Sequence, residues 1–567
     1  MKEATVKKIL TLLAGFAVLF SSASYVYAEG TPGEQFVIQG PADGLPSAGV
    51  VIEDSQFIKN HFATLQAFTS ANSLRNEKPT AIINCTSYPS STCTPDIFYN
   101  YKAFIGNCAS ASDHNCVLEV NGVGPDGASH KAEFVEDFPG KTEYSFVGDP
   151  QANLPNSSSS FIVRIPSLPH SHGDLYLVTV NLDGSKEFGS DQKFQINDFR
   201  AGIFAVSFID GQYSIPHPNS DLAFVNGVGG ISNTRIPFDN NKRAPASCAQ
   251  STSTRCALAW PLPTDVSFTV KLKLQTKITG WIHGRLTDVS AQISSAADGD
   301  QLISVTGKPV VVPTVFQWFH LDALPKSVSD FYGSTSNLMG SGTGFAGDNF
   351  GKTTSMLKDY ISYTKQSFPE AIAWYSAIGD KANSTSTAWS FRTIESGNLP
   401  NQCNANIGQL TGIVTTNSNM FVAMPPDFNR VDQSLDYKVS SPHFLPDGSV
   451  FKGTYNLVMR SDYARCLYGF TSAPISASVS ILSADGTSQV ATTVLGERDG
   501  WLYLSANNFT FSSPTVKVKL TQEPSSKADS SKSSPSALNT ITCVKGKTLK
   551  KVTAVNPKCP AGYKKKA

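Results

Sequence analysis

Residues 346–354 read AGDNFGKTT, which fits a loose phosphate-binding-loop pattern of Ala or Gly, four residues, Gly-Lys, then Ser or Thr. Such a loop holds nucleotide phosphates with backbone N–H groups and a lysine, and it must directly follow a buried strand. The preceding residues 336–345 (SNLMGSGTGF) are typical of a loop and not of a strand. We therefore interpret the match as chance and do not predict an NTPase.

A second catalytic pattern lies next to the first. Ser355 and Lys358 have the Ser-x-x-Lys spacing, which on a helix brings a lysine amine within reach of a serine hydroxyl. The companion Lys-Thr-Gly or Lys-Ser-Gly motif of serine acyl enzymes does not occur in the chain. We predict no catalytic residue at this position and no cofactor.

The best metal-binding pattern is the sequence HSHGD, which contains His170, His172 and Asp174. Alternate side chains of an extended segment lie on one face, and imidazole and carboxylate groups are zinc ligands. The competing interpretation is a polar loop that leads into a strand at residues 175–180, and we favour that loop.

A third candidate follows an alternating segment, TVKLKLQTKIT, at residues 269–279. Trp281, His283 and Arg285 are close together there and could form an exposed binding surface. The alternative is a strand end with Trp281 in the core, which burial statistics favour. Carboxylates for glycoside hydrolysis cannot be chosen among 45 Asp and Glu residues, because their spacing is set in three dimensions.

The ten cysteines are an even number, as expected in an oxidising compartment. Neighbours in the sequence are the simplest disulfide partners, although the first four cysteines alone allow three connectivities, which stay open. The absence of Cys-x-x-Cys argues against zinc ribbons and thiol redox sites. We predict disulfides that close surface loops, from ten cysteines: Cys85, Cys93, Cys108, Cys116, Cys248, Cys256, Cys403, Cys466, Cys543 and Cys559.

The N-terminus has the composition of a secretion signal. Three lysines within the first eight residues precede a short apolar run at residues 9–20, and Ala28 is a small residue before a cleavage site. We predict a signal peptide at residues 1–28 and export of the mature chain. The apolar run is shorter than the ~20 residues needed to cross a bilayer, and no later segment is long and apolar enough.

Charge is unevenly distributed along the chain. The total is 46 Lys and Arg against 45 Asp and Glu, yet the last 29 residues contain only basic charges. The remainder is therefore acidic, which argues against nucleic acid as a partner. We expect the basic tail to bind an anionic cell-wall or surface polymer through eight lysines: Lys545, Lys547, Lys550, Lys551, Lys558, Lys564, Lys565 and Lys566.

Alternating segments and Asp-Gly turns predict a mainly β protein with several sandwich-like domains in tandem. One short helix is predicted near residues 353–368, stopped at Pro369. The predicted regions are a Cys-containing β domain (29–200), a β domain (201–320), a mixed segment with the helix (321–400), a β-sandwich module (401–521), a Ser/Lys/Pro linker (522–538) and the tail with a disulfide loop (539–567).

Two stretches of the C-terminal part carry a resemblance: FKGTYNLVMRSDYARCLYGF and ITCVKGKTLKKVTAVNPKCPAGYKKK. They resemble a β module and a C-terminal tail of exported actinobacterial cell-surface proteins of unassigned function. The resemblance covers roughly residues 403–567 and implies a location at the cell surface. It also implies a disulfide between Cys466, in the Ala-Arg-Cys segment, and Cys403.

These observations predict an exported, disulfide-stapled, non-enzymatic protein of the cell surface or the extracellular space, with a structural, adhesive or ligand-binding role. The alternative hypothesis is an extracellular hydrolase that acts on polysaccharide, with the C-terminal module as an accessory. A deep cleft with two carboxyl groups about 5–10 Å apart would favour the hydrolase.

Overall fold

The computed structural model describes residues 45–52, 63–68, 82–95, 97–212, 248–340, 355–360, 368–394, 403, 409–472, 474–482, 488–490, 492–511, 515–522, 539–546, 548–554 and 557–566. The predicted signal peptide, the stretch 346–354 and nearly all of the predicted linker lie outside these residues. The described part is mainly β with short helices, as predicted. None of its helices is long and apolar enough to span a membrane.

The first half of the chain forms seventeen strands within the described residues. In chain order they are β1 Ser47–Ile52, β2 Thr64–Phe68, β3 Ile82–Asn84, β4 Phe98–Phe104, β5 Cys116–Val123, β6 Ser129–Lys131, β7 Glu133–Asp137, β8 Phe161–Arg164, β9 Leu175–Glu187, β10 Gln195–Asp210, β11 Cys248–Ser251, β12 Arg255–Trp260, β13 Ser267–Leu274, β14 Gly280–Arg285, β15 Thr287–Ser295, β16 Gln301–Lys308 and β17 Val310–His320. Short 3-10 helices occupy Pro150–Ala152 and Leu321–Ala323.

The second half contains the remaining described strands and four α-helices. The strands are β18 Ser355–Tyr360, β19 Ser384–Ile394, β20 Leu410–Thr416, β21 Met420–Phe421, β22 Asp427–Asn429, β23 Ser434–Ser440, β24 Lys452–Arg460, β25 Ile475–Leu482, β26 Ser488–Val490, β27 Thr492–Arg498, β28 Trp501–Thr510, β29 Thr515–Gln522, β30 Asn539–Lys545, β31 Thr548–Ala554 and β32 Lys564–Lys565. The helices are α1 Lys326–Tyr332, α2 Thr335–Gly340, α3 Phe368–Ala377 and α4 Ser461–Tyr468.

The chain divides into two compact units. The first holds the described residues up to Phe470 together with residues 475–521, and the second holds residues 471–474 and those from Gln522 onward. Apart from residues 471–474, the second unit starts at Gln522, which is also the start of the predicted linker. Inside the first unit, β10 runs without interruption across residues 200 and 201, so the two predicted regions on either side share a strand.

An 18-stranded sheet forms the framework of the first unit. One continuous path through it runs β3-β2-β4-β9-β10-β19-β14-β20-β24-β28-β27. A five-stranded sheet, in the order β15-β16-β13-β5-β6, and a six-stranded sheet built on β21-β23-β29-β25-β26 accompany it. The pairs β14–β20 and β1–β18 are parallel, and their partners are far apart in the sequence.

Hydrophobic side chains cover both faces of the central strands β14, β20 and β24. Ile282, Ile413 and Val458 belong to a core cluster shared with the five-stranded sheet. Their neighbours in the sequence, including Trp281 and Val414, belong to a second cluster shared with the six-stranded sheet. Because successive side chains of a strand point to opposite faces, the central strands form the middle layer of three.

The alternating segments predicted as strands are confirmed. In β13, Phe268, Val270 and Leu272 are fully buried and Thr269 and Lys271 are partly exposed. The TVKVKL segment forms β29 with the same regular alternation of buried and exposed positions. Period-two hydrophobicity therefore identified these strands correctly.

The position of the predicted helix is wrong. Ser355–Tyr360 form strand β18, which pairs in parallel with Ser47–Ile52, and helix α3 begins at Phe368 instead of ending there. Pro369 therefore lies in the first turn of α3, where the missing N–H of a proline costs nothing. The helix propensity of a short segment is a weak preference, and pairing with a distant strand overrides it. The one-turn spacing that Ser-x-x-Lys chemistry requires is not formed.

A second local expectation is also corrected. Residues 336–345, interpreted as a loop, begin inside helix α2, Thr335–Gly340. Residues from 341 onward lie outside the described part. A helix before residue 341 supplies no buried strand, so this context still does not fit a phosphate-binding loop.

Candidate functional site

The ten cysteines form five disulfides, and each disulfide joins two cysteines that follow one another in the order of cysteines along the chain. The Cα–Cα distances lie between 5.0 and 5.6 Å, inside the range for disulfides. The prediction of neighbour pairing is confirmed, including the pair implied by the resemblance. The bonds are Cys85–Cys93, Cys108–Cys116, Cys248–Cys256, Cys403–Cys466 and Cys543–Cys559. This framework fits an oxidising compartment outside the cytoplasm.

The residues of the HSHGD segment do not converge on an ion. The Nε2 of His170 donates a hydrogen bond to the carbonyl of Leu175 at 3.1 Å, and its Nδ1 accepts one from the backbone N–H of His172 at 3.3 Å. Burial lowers the pKa of His170, which agrees with this neutral tautomer. Asp174 forms an ion pair with Arg164 at 3.4 Å. The arrangement supports the polar-loop interpretation.

A different set of metal-type ligands does come together, and sequence reasoning missed it. Ligand atoms of His114, Asp298 and Asp300 lie within 4.8 Å of one another. The Nδ1 of His114 is 2.6 Å from the carboxylate of Asp300, and Lys273 Nζ is 2.7 Å from the carboxylate of Asp298. The Lys273 side chain is only 5% exposed, and its hydrogen bond is the main cause that lowers the pKa of Asp298. The ammonium group of Lys273 therefore already occupies the place beside these carboxylates that a metal cation would take.

The proposed surface of Trp281, His283 and Arg285 is not a surface. The three residues are 3%, 0% and 0% exposed, respectively. Their strand β14 lies between β19 and β20 and has hydrophobic side chains on both faces, so none of its inner positions reaches solvent. The favoured interpretation, with Trp281 in the core, is confirmed, and the candidate binding surface is not formed.

The ends of these strands instead form a buried polar centre. The Nη1 of Arg285 donates hydrogen bonds to the carbonyl of Thr416 at 3.0 Å and to that of Ser418. The guanidinium carbon of Arg285 is 4.6 Å from the centroid of the Phe421 ring, and the imidazole of His283 stacks on the same ring at 3.7 Å. The predicted residues His283 and Arg285 thus form specific polar and ring contacts, but these contacts lie inside the protein.

An open cleft of about 750 Å³ lies in the first unit at the start of helix α4. Its charged groups are largely paired, since Arg460 binds Asp462 through two nitrogens and Arg465 binds Glu497 at 2.8 and 2.9 Å. The lining residues are Lys277, Ile293, Ser294, Ser295, Gln301, Gln409, Leu410, Arg460, Ser461, Asp462, Arg465, Asp499, Gly500 and Trp501.

The C-terminal unit is a small folded sheet, and not simply a flexible tail. Strand β30 pairs with β31 on one side and with β32 on the other, and the Cys543–Cys559 disulfide closes the unit. Lys550 and Lys565 lie directly opposite Cys543 on these two neighbouring strands. The sheet therefore presents basic residues from each of its three strands.

The basic residues of this unit face solvent. The described lysines are all exposed, namely Lys545, Lys550, Lys551, Lys558, Lys564, Lys565 and Lys566. Lys547 lies outside the described residues. No Asp or Glu occurs between residues 539 and 567, so no acidic side chain of this stretch offsets the charge. This basic sheet, residues 539–566, is the candidate functional site.

No protein-family model matches the sequence, and a search of curated proteins gives no match.

Proposed function

We propose that this protein is an exported, disulfide-stapled, non-enzymatic component of the cell surface, attached to an anionic polymer through its basic sheet. The observation that carries the proposal is the set of seven exposed lysines on a disulfide-closed sheet without acidic residues. Its role at the surface would be structural, adhesive or ligand-binding.

The spacing of the lysines supports a polymer as the partner. Residues on β31 and β32 are separated by two strand spacings, which places Lys550 and Lys565 about 10 Å apart at their backbones. This separation is close to the screening length of about 8–10 Å at physiological salt, so neighbouring charges add to one field. A chain of regularly repeated negative charges would contact several lysines at once, each through a weak, solvated ion pair.

The rigidity of the basic sheet supports the same interpretation. A flexible lysine tail would lose backbone entropy on binding, whereas the disulfide and the strand pairing already order this segment. The preformed sheet should therefore bind more tightly than an unfolded peptide of the same composition.

The cleft in the first unit bears on the alternative of a polysaccharide hydrolase. It contains two carboxylates, Asp462 and Asp499, as a glycosidase would need. However, the carboxylate of Asp462 accepts two hydrogen bonds from the Arg460 guanidinium, so both of its oxygens are already engaged and neither is free to approach a glycosidic oxygen. The geometry thus favours a binding role over acid catalysis.

The test measures retention of the full-length mature protein on beads that carry polyglutamate, polyphosphate or uncharged dextran. We expect retention on both polyanions at low salt, release at high salt and no retention on dextran. A variant with four neutralised residues should lose at least ten-fold in affinity while it keeps the disulfide: Lys550→Gln, Lys551→Gln, Lys564→Gln and Lys565→Gln.

A matched control removes the same amount of charge from exposed positions of the first unit. It carries Lys131→Gln, Lys193→Gln, Lys452→Gln and Lys519→Gln. This control should retain the affinity of the unsubstituted protein. Equal losses in the two variants, or equal retention by the tail variant and the unsubstituted protein, would refute attachment through the basic sheet.

A further inference from the structure

The cleft at the start of helix α4 is lined by two parts of the first unit. One part is the end of β15 in the five-stranded sheet, with Ser294 and Ser295. The other part is the turn between β27 and β28, with Asp499 and Gly500, together with the first residues of α4. The volume of about 750 Å³ lies within the range of ~300–1,000 Å³ that small-molecule sites have. The cleft is therefore large enough to hold a ligand.

Hydrogen bonds hold these two parts together. The Nη2 of Arg498 donates to the hydroxyl of Ser290 at 2.9 Å, and the hydroxyl of Tyr503 donates to the carbonyl of Ala291 at 2.7 Å. Ser290 and Ala291 belong to β15, whereas Arg498 and Tyr503 belong to β27 and β28. The lining is thus in place before a ligand arrives, which lowers the entropy lost on binding.

The lining of the cleft is mostly hydrophilic. Ten of its fourteen residues have charged, amide or hydroxyl side chains. The apolar part lies on the core side, since Leu410 and Trp501 are buried members of a core cluster and Ile293 packs against that cluster. An apolar ligand would separate the polar groups from water without replacing their hydrogen bonds, at a cost of about 1–3 kcal/mol for each group. The ligand that fits this lining is therefore rich in polar groups itself.

The charges of the cleft are balanced. Arg460 is paired with Asp462, and Arg465 is paired with Glu497 beside the cleft. The lining contains one further basic residue and one further acidic residue. Neither an anion nor a cation gains a net attraction from such a set, so the cleft fits a neutral ligand.

Hydrogen-bond donors and acceptors are both available in the cleft. The guanidinium of Arg460 donates to both oxygens of Asp462 and to the side-chain oxygen of Gln409. These bonds use three of the five N–H groups of a guanidinium, and the other two have no partner among the described residues. The bond to Gln409 leaves its exposed amide nitrogen to donate elsewhere. The carboxylate of Asp499, exposed in the turn, accepts hydrogen bonds when it is ionised.

We propose that this cleft binds a short, neutral oligosaccharide. Sugar hydroxyls both donate and accept, so they match the fixed donors of Arg460 and Gln409 and the acceptor of Asp499. The C–H groups of a sugar ring lie against the apolar, core side of the lining. The site lies within the first unit and makes no use of the basic sheet. The saccharide is thus a second ligand, besides the anionic polymer.

The experiment titrates the full-length mature protein with neutral trisaccharides in a calorimeter, at low and at high salt. The probes are maltotriose, cellotriose, mannotriose and triacetylchitotriose, each used up to about 10 mM. We expect at least one of them to bind with a Kd below about 1 mM that salt changes by less than about two-fold, because a neutral ligand is not screened. Binding through the basic sheet is lost at high salt, so the failure of one proposal is distinguishable from the failure of the other.

A steric variant tests the place of binding. Ser295→Trp adds a large ring to the lining from an exposed position at the end of β15, so the protein should fold normally. Binding should weaken by about ten-fold or more. The matched control is Ser129→Trp, since Ser129 is also exposed and lies at the end of β6, on the opposite edge of the same sheet. This control should bind like the unsubstituted protein.

A second variant tests the hydrogen-bond acceptor. Asp499 has a φ of 52°, which glycine adopts readily, so Asp499→Gly removes the carboxylate without straining the turn. The affinity should fall by about ten-fold, as expected for a lost hydrogen bond to a charged group. The matched control is Asp288→Gly, because Asp288 is also exposed, has a φ of 53° and lies outside the lining of the cleft. It should keep the full affinity.

Two kinds of result would overturn the proposal. If none of the four trisaccharides binds, or if Ser295→Trp and Asp499→Gly bind as tightly as their controls, the cleft is not a saccharide site. Loss of trisaccharide binding at high salt would show that charge drives the binding, and not hydrogen bonds to a neutral ligand.

Discussion

Arg285 and Lys550 carry the same charge in opposite surroundings. Arg285 is fully buried between two sheets, where its guanidinium binds backbone carbonyls and the face of Phe421. Lys550 is exposed on a three-stranded sheet without acidic neighbours in the sequence. The difference teaches where each charge can act. The buried group is insensitive to salt and determines local stability, whereas the exposed group contributes little to stability and acts through long-range, salt-dependent attraction.

The two units differ in the same way in what holds them together. The first unit has hydrophobic clusters on both faces of its central strands. The C-terminal unit is so short that its fold depends on the Cys543–Cys559 bond, because domains below about 40 residues rarely bury enough apolar surface.

The largest expected effect follows from that difference. Replacing Cys543 and Cys559 with serine should cost about 3 kcal/mol, the loop-closure value for a separation of 16 residues, and should unfold the C-terminal unit. Limited proteolysis should then cut between residues 539 and 566 while the first unit stays intact. The matched double variant, Cys108→Ser with Cys116→Ser, should leave both units folded. Protection of the C-terminal unit without its disulfide would contradict this account.

A smaller effect is expected from the buried charge itself. Arg285→Met should lower the free energy of unfolding of the first unit by about 2 kcal/mol, because the carbonyls of Thr416 and Ser418 lose their donor. The removal of a buried charge offsets part of this loss. Urea denaturation monitored by tryptophan fluorescence measures the change. Lys565→Met, the exposed counterpart, should leave the unfolding midpoint unchanged. Equal shifts in the two variants would contradict the different contributions of the buried and the exposed charge to stability.

Several features of both regions could be predicted from the sequence because they depend on neighbours along the chain. The alternating residues of β13 and β29 indicate strands with one buried face. Cysteines eight residues apart can form a disulfide because the loop that the bond closes is short. The excess of lysine after residue 539 is visible in the composition alone.

Other features depend on residues that are distant in the sequence. Strand β18 forms because β1, about 300 residues earlier, offers its edge, which no local pattern reveals. His114 and Asp300 are 186 residues apart, so their pairing is invisible until the sheets are built. The burial of Trp281 and His283 likewise depends on the six-stranded sheet that packs over β14. From the sequence alone, a strand followed by polar residues is interpreted as lying at the edge of a sheet, because the strands and sheets next to it are not known.

A pH-dependent effect of intermediate size should separate the two regions. The pKa of His283 is lowered in the folded protein, so the unfolded chain takes up a proton first as pH falls below about 6.5. The contribution of the neutral, buried His283 to the free energy of unfolding is therefore complete above that pH. Below that pH the free energy of unfolding falls by up to about 1.4 kcal/mol per pH unit. His170, whose pKa is also lowered, contributes in the same direction.

The measurement is the free energy of unfolding in chloride buffer between pH 7.5 and about 5. His283→Phe, which keeps the ring that stacks on Phe421, should reduce the slope below pH 6.5 and should not destabilise the protein at pH 7.5. An unchanged slope would show that His283 is not the titrating group. Polyanion binding by the basic sheet should vary little over the same range, because residues 539–567 contain no His, Asp or Glu.

The smallest expected effect concerns the two faces of the basic sheet. Lys550 and Lys565 share the face of Cys543, whereas Lys551 and Lys564 lie opposite Thr542 and Val544 on the other face. If a polymer lies along one face, Lys550→Gln with Lys565→Gln and Lys551→Gln with Lys564→Gln should differ in the salt dependence of polyglutamate binding, by about one released counterion per contacting lysine. Unfolding midpoints should be equal, since all four side chains are exposed. If the two variants show the same salt dependence of polyglutamate binding, the polymer contacts both faces of the sheet. The basic sheet would then attract the polymer through its total charge and not through one oriented face.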